Sequence, residues 1–310
     1  MIIKNIFEIT ELELPDGSKI PVEQKTATNG KRACIIRNLP DDIYHEQKQF
    51  WGSSMLRSLY RNSREFKYGE FKVTKAMELG TAFHSYFLEP ENFAKMYKVF
   101  DENKRPDTTK GMTAKDNKAW KAEFYESNNR VITNDEFADF CSVESAMYDW
   151  QKDGRHPIQM YMKNSEREVS VFIEDYEGLP IKIRIDILVP KLNWLGDLKT
   201  TANCSSEKFY YAIKDRDYDA QLMLYKDVYE AVTGKIIDKV FILACELSKP
   251  YNFNPIDMKE WEDSGRLGYM LCIDKAKTIV SYNGYVDNLA PGKYFNEIGC
   301  TEYDKKRWVR

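Results

Sequence analysis

The chain has 310 residues, 46 basic against 49 acidic, for a formal net charge of −3. Hydrophobic residues make up 43% and aromatics 14%, enough for a packed core, which excludes global disorder. No apolar run approaches the roughly 20 residues that span a bilayer, and the opening MIIKNIFEITELELPDGSK lacks a basic region followed by a long apolar stretch, so a cytoplasmic protein without a membrane span is expected. Cys34, Cys141, Cys204, Cys245, Cys272 and Cys300 are scattered with no CxxC pair. That argues against a structural zinc or an iron–sulfur cluster, and in so long a chain they read as reduced, mostly buried thiols. With charge nearly balanced, any polyanion site must be a local basic surface.

In chain order, residues 1–40 read as extended and turn-rich, with turn signals at Asp16-Gly17-Ser18 and Asn29-Gly30 flanked by short strand-like pieces such as ACII. An N-terminal hairpin or arm is expected there, followed by a single domain over 41–310. A helix is expected from about 42 to 62, with Ile43, Phe50, Met55, Leu56 and Leu59 on its apolar side. A second, over 74–88, is stopped by Glu89-Pro90. The polar stretch 103–121 carries six Lys/Arg against two Asp, and reads as a loop that enters a helix near 113. Another helix is expected over 134–150.

The period then changes. EREVSVFIED (166–175) alternates, with Val169, Val171 and Ile173 on one face and Glu168, Ser170 and Phe172 on the other. IKIRIDILV (181–189) alternates again, Ile181, Ile183 and Ile185 opposing Lys182, Arg184 and Asp186. A third strand is expected over 193–199, a long helix over 205–232, a fourth strand over 239–247, and a C-terminal helical extension from about 256. The order β-β-β-α-β inside flanking helices specifies an α/β fold with a central mixed sheet.

Asp186, Asp197 and Lys199 form Asp-x10-Asp-x-Lys across two consecutive strands. Period 2 puts Asp197 and Lys199 on one face, one pleat apart, and Asp186 on the neighbouring strand can bring its carboxylate alongside. Clustered carboxylates repel and favour a hard divalent cation such as Mg2+. A lysine beside them can orient a water or stabilise charge developing on a phosphate. The plainer alternative is a charged strand edge facing solvent. Gln221 and Tyr225 lie four apart and share a helix face, either supporting a site or filling ordinary helix positions. His84, on the helix 74–88, is a packed residue or a ligand, and Glu168 is a third acidic group or a solvated one.

Taken together, these residues resemble the PD-(D/E)xK nuclease superfamily with its RecB-type nuclease domain, and within it the exonuclease VIII (RecE-like) family. The matching stretches are IYH (43–45), SSML (53–56), LGTAFHSYFLEP (79–90), EVSVF (168–172), IRID (183–186), GDLKTT (196–201), QLMLY (221–225) and YNGY (282–285). They run in order over most of the chain from about 42 onward. The resemblance implies a restriction-endonuclease-like core in which His84, Asp186 and Asp197 bind or orient the metal, with Glu168 as an outer acidic contributor. Lys199 would position the attacking water, and Gln221 and Tyr225 would support the site. Asp197 stands where much of the superfamily has glutamate, and aspartate there suits the exonuclease VIII branch.

The implied activity is that of a Mg2+-dependent 5′→3′ exodeoxyribonuclease, with Mn2+ able to substitute. It would degrade linear double-stranded DNA from its ends to 5′-phosphorylated mononucleotides, leaving 3′ single-stranded overhangs. The implied assembly is a ring-shaped homo-oligomer that hands the overhang to a single-strand annealing protein (RecT-like) for homologous recombination, commonly in phage or prophage. Candidate DNA contacts are Arg184, Arg57, Arg105 and Lys110, with Ser53 and Ser54 near a 5′-phosphate by analogy with lambda exonuclease. An endonuclease or nickase on the same core, and a non-catalytic DNA-binding or assembly module, are the alternatives.

Overall fold

The computed structural model describes residues 1–70, 72–101, 114–128, 130–151 and 154–282. Arg105, Lys110, most of the YNGY stretch and the basic C-terminal tail lie outside the described residues.

An eight-stranded mixed sheet organises the molecule, in the order β1-β2-β3-β6-β7-β8-β9-β10. Its strands are β1 (Glu11–Glu13), β2 (Lys19–Thr26), β3 (Arg32–Ile36), β6 (Glu166–Tyr176), β7 (Leu179–Val189), β8 (Trp194–Thr200), β9 (Lys239–Cys245) and β10 (Phe253–Asp257). Neighbours pair antiparallel except β8 and β9, which run parallel. A parallel pair needs a crossover, supplied by α9 (Ser206–Arg216) and α10 (Tyr218–Thr233). A separate parallel pair joins β4 (Lys98–Phe100) to β5 (Val131–Thr133).

Helices cover both faces. Leu56 and Leu59 of α2 (Ser53–Arg61), Leu224 and Val228 of α10, and Ile273 and Ala276 of α11 (Glu262–Tyr282) pack against Val169, Val171, Ile183 and Ile185. On the other face Phe83 and Phe87 of α4 (Lys75–Leu88), Phe93 of α5 (Pro90–Met96), Phe140 of α7 (Asn134–Asp149) and Ile158 of α8 (Pro157–Lys163) meet Ile187, Val189, Leu198 and Leu243. Burial of side chains this large stabilises by about 1.5–3 kcal/mol each. The described residues also form α1 (Asp41–Glu46), α3 (Ser63–Tyr68) and α6 (Ala114–Glu126). Among the described residues no helix is long and apolar enough to cross a membrane.

Three local expectations change, and the N-terminal hairpin takes a place in the sheet. Residues 1–40 contain a hairpin, β2–β3, turned at Asn29-Gly30 with Gly30 at φ +79°, and its second strand pairs with β6 so that the N-terminus extends the central sheet. The expected helix over 42–62 is two helices. Between them Trp51 bridges to Ile181 at the strand β7, with backbone hydrogen bonds to Pro180 and Lys182. The expected helix over 205–232 breaks at Asp217, whose left-handed backbone (φ +50°) ends α9 and turns the chain into α10. The C-terminal helix starts at Glu262, because residues 253–257 add the edge strand β10 to β9.

Candidate active site

The acidic residues line up at a fork in the sheet. The β7–β8 ladder ends at Ile187 opposite Gly196, and continuing that register places Asp186 opposite Asp197 at the first rung where pairing stops. On the other side, the β6–β7 register places Glu168 opposite Asp186, at a rung missing between the Arg167–Ile187 and Val169–Ile185 pairs. Glu168 has φ +51°, a left-handed conformation that is uncommon and costly for a residue with a Cβ. Strict alternation fails there: Arg167, next to Glu168, bonds the carbonyls of Phe87 and Leu88, and Ile187, next to Asp186, packs on the α4 side. Three carboxylates therefore stand in one row across β6, β7 and β8.

Helix α4 brings a histidine over that row. Thr74 caps its start by accepting the Met77 N–H at 3.3 Å. A Cβ at Gly80 would stand 2.8 Å from Thr200 Oγ1, so glycine permits the close approach of α4 to β8. One turn later His84 places Nε2 2.7 Å from Asp186 Oδ2 and Nδ1 3.2 Å from Glu168 Oε1. Burial works to lower the histidine pKa, but the two carboxylates outweigh it and hold it well above the usual range. Burial likewise opposes ionisation of Asp186, yet His84, Lys199 and the Leu198 N–H, which donates at 2.9 Å, pull its pKa down.

Asp197 titrates the other way. It is 1% exposed, and burial together with the charge of Asp186 raises its pKa, with Lys199 opposing. Lys199 Nζ lies 2.5 Å from Asp197 Oδ2, and Gln221 Nε2 donates to Asp197 Oδ1 at 3.1 Å. Burial would discharge Lys199, but Asp197 and Asp186 outweigh it and keep the ammonium charged. Gln221 also donates to Tyr225 Oη at 3.4 Å. Tyr225 is buried, which pushes its pKa well up and leaves the phenol neutral.

The donor set suits a hard divalent cation. One nitrogen of His84 and one oxygen each from Glu168 and Asp186 lie within 4.8 Å of one another. Glu168 Oε1 and Asp197 Oδ2 are buried and accept no well-aligned hydrogen bond, although each lies within ion-pair range of a cationic group. Buried carboxylate oxygens of that kind are what a metal would satisfy. Asp197 adjoins the triad without joining it. The residues face a cleft of about 1130 Å³ lined by His84, Glu168, Lys199, Thr200 and Thr201, with Arg130 and Arg216 also on its walls.

The other expected contacts fall elsewhere. Arg184 faces the site side of β7, but its guanidinium is 7% exposed and taken by Glu168, by Asp41 at 3.4 Å and by Glu89 at 3.7 Å, in place of a free phosphate contact. Arg57 is likewise engaged: it donates to the carbonyls of Arg216 and Asp217 and, at 3.1 Å, to Gln221 Oε1, so it braces Gln221. Ser53 is buried, Ser54 is exposed, and neither is among the residues that line the cleft. Sequence reasoning missed Arg130 and Arg216 on the cleft walls, and Asp41 and Glu89 around Arg184. No local pattern marks them, since each arrives from an element distant in the chain.

Residues 54–265 match the model of a family described as a PDDEXK-like domain of unknown function, DUF3799. The chain belongs to this family. Its fold is restriction-endonuclease-like, a mixed sheet flanked by helices, with the acidic row and Lys199 at the fork of that sheet. Among curated proteins, none matches the chain. Of solved structures, a candidate exonuclease from Eubacterium rectale is similar at 15% identity and a TM-score of 0.52, covering 84% of this chain and 96% of that one. The crystal structure of SSO0001 is a more distant match, at 12% identity and a TM-score of 0.25, over 72% of this chain and 85% of that one. The E. rectale likeness is one of fold; the PDDEXK-like assignment comes from the family.

Proposed function

We propose that this protein is a metal-dependent nuclease, and specifically a 5′→3′ exodeoxyribonuclease that degrades linear double-stranded DNA and leaves 3′ single-stranded overhangs. The observation that carries the reading is the row Glu168–Asp186–Asp197, capped by His84 and flanked by Lys199, beside a cleft that Glu168, His84 and Lys199 line. Support for exonuclease action comes from the E. rectale neighbour described as a candidate exonuclease, and from the resemblance to the exonuclease VIII family.

A divalent ion held by His84, Glu168 and Asp186, with Asp197 adjoining, would supply Lewis acidity toward a phosphoryl oxygen; Mg2+ is the proposed ion, with Mn2+ able to substitute. The chain's own groups do the positioning. Lys199, anchored on Asp197 and charged, presents donors where a water and a phosphate oxygen would meet. Gln221, braced by Arg57, fixes the Asp197 carboxylate. Tyr225 remains neutral and adds no further negative charge to a crowded acidic site. Arg130 and Arg216 on the cleft walls complement a phosphodiester backbone, which suits a chain whose net charge alone would not attract DNA.

The proposed setting is annealing-type homologous recombination in the cytoplasm: a ring-shaped homo-oligomer would take DNA ends and pass the overhang to a RecT-like annealing protein, in phage or prophage. The test uses linear duplex labelled at the 5′ or the 3′ end, with Mg2+ or with EDTA, beside closed circular DNA and the Lys199→Ala variant. Early release of the 5′ label as mononucleotide, with circles spared and the variant inactive, is expected. Early release of the 3′ label refutes the polarity, and cutting of circles replaces the exonuclease with an endonuclease.

A further inference from the structure

Arg184 is an arginine buried among acids. Its Nε contacts Glu168 Oε2 from β6, Nη1 lies 3.4 Å from Asp41 Oδ1 of α1, and Nη2 lies 3.7 Å from Glu89 Oε1 at the junction of α4 and α5. The guanidinium carbon sits over the Tyr44 ring, 5.3 Å from its centroid. Three carboxylates and an aromatic face thus enclose one cation, and Asp41 in turn meets His45 Nε2 at 3.2 Å at the cleft rim. A guanidinium is planar, permanently charged and forked, so it can hold several acidic partners at fixed angles as a lysine cannot.

Glu168 is the partner that matters. Its two oxygens divide their work: Oε2 lies on Arg184, and Oε1 points to His84 and the Asp186 side of the row. Its backbone is in the left-handed region, where a glutamate does not stay without surrounding contacts that over-determine it. From these observations we infer that Arg184 is a positioning residue for metal binding: it holds the Glu168 carboxylate so that Oε1 completes the donor set with His84 and Asp186. This rests on reading that triad as a metal site. The role differs from a phosphate contact, because it acts through Glu168 and is exerted before any DNA arrives.

Metal binding to the protein alone tests this. Mn2+ and Mg2+ are titrated calorimetrically into the full chain without DNA, for wild type, Arg184→Gln, Glu168→Gln and the double variant, with circular dichroism confirming the fold. Loss of an outer partner of a metal ligand typically lowers affinity by about 10–100-fold, and a loss of that order is expected for R184Q. The double variant is expected to bind no more weakly than E168Q alone, since the arginine acts through the glutamate. Additive losses in the double variant, or wild-type metal affinity in R184Q, overturn the inference. Unchanged metal binding combined with weaker DNA binding and a shallower salt dependence would return Arg184 to a phosphate contact. If R184Q does not fold, Arg184→Lys keeps the charge without the fork: a several-fold lower metal affinity is expected, and wild-type affinity refutes the positioning role. Absence of metal binding by the wild type would instead sink the metal site itself, an outcome separate from the others.

Discussion

Replacing Gln221 with leucine removes the amide that steadies Asp197 at the centre of the site. The side chain is buried and leucine is similar in volume; of the hydrogen bonds lost, to Asp197, to Tyr225 and from Arg57, the one that acts directly on the Asp197 charge is the 3.1 Å donation to Oδ1. Asp197 Oδ2 accepts no well-aligned hydrogen bond, so the substitution leaves that carboxylate with Lys199 as its ion-pair partner. A hydrogen bond to a charged group is worth about 1.5–3 kcal/mol, and about 1.4 kcal/mol corresponds to one pH unit. The Asp197 pKa, already raised by burial and by Asp186, is therefore expected to climb by about one to two pH units more. The sign follows directly. If the ionised carboxylate is the working form, activity falls as pH drops through its pKa, and in Q221L that acid limb moves to higher pH. A loss of about 10–100-fold on the acid side, recovered on raising the pH, is the expected result in a pH–rate profile with end-labelled duplex. A profile that overlays the wild type, or one depressed equally at every pH, would refute this account of Gln221.

Gly196, one residue before Asp197, has the Phe241 ring where a Cβ would go, so Gly196→Ala is expected to destabilise by about 1–3 kcal/mol. The same substitution in a Phe241→Leu background should cost less, and equal thermal shifts in both backgrounds would contradict the clash. Lys182 is buried, donates to the Tyr44 carbonyl at 2.7 Å, and has its pKa pushed down to about 8, first by burial and then by Lys48. Because an unfolded lysine titrates near 10.4, the unfolded chain binds more protons between about 8 and 10.4, and stability relative to Lys182→Met should rise with pH across that window; a pH-independent difference in denaturation midpoint tells against it. Adding Mg2+ at 100 times its dissociation constant should stabilise the wild type by about 2.7 kcal/mol in a thermal melt. Asp186→Asn should lose that increment, and an equal gain in the variant would place the ion elsewhere.

Much of the site was legible in the chain because strand periodicity is a local property. Alternation over 166–175 and 181–189 located two of the three acidic strands, and Asp197-x-Lys199 lay on the third. The expected helix over 74–88 is Lys75–Leu88 in the structure, and it carries His84 to within hydrogen-bonding distance of Asp186. Breaks in regular structure were less legible. Nothing local announces that Asp217 adopts a left-handed backbone, or that Trp51 leaves a helical pattern to bridge β7, because tertiary contacts outweigh modest helix propensities at both places.

The sequence by itself determined which residues could share a strand face or a helix turn, and with the resemblance to the PD-(D/E)xK nucleases it nominated His84, Glu168, Asp186, Asp197, Lys199, Gln221 and Tyr225. Only the tertiary structure decided how they divide. The sheet fork puts Glu168, Asp186 and Asp197 in one row, yet His84 closes a donor set with the first two while Gln221 and Lys199 hold the third. It also turned Arg184 and Arg57 from candidate phosphate contacts into internal partners of Glu168 and Gln221. The reason is physical: the charge on an arginine is readable from one letter, but whether water, DNA or a buried carboxylate receives it depends on which distant elements fold around it.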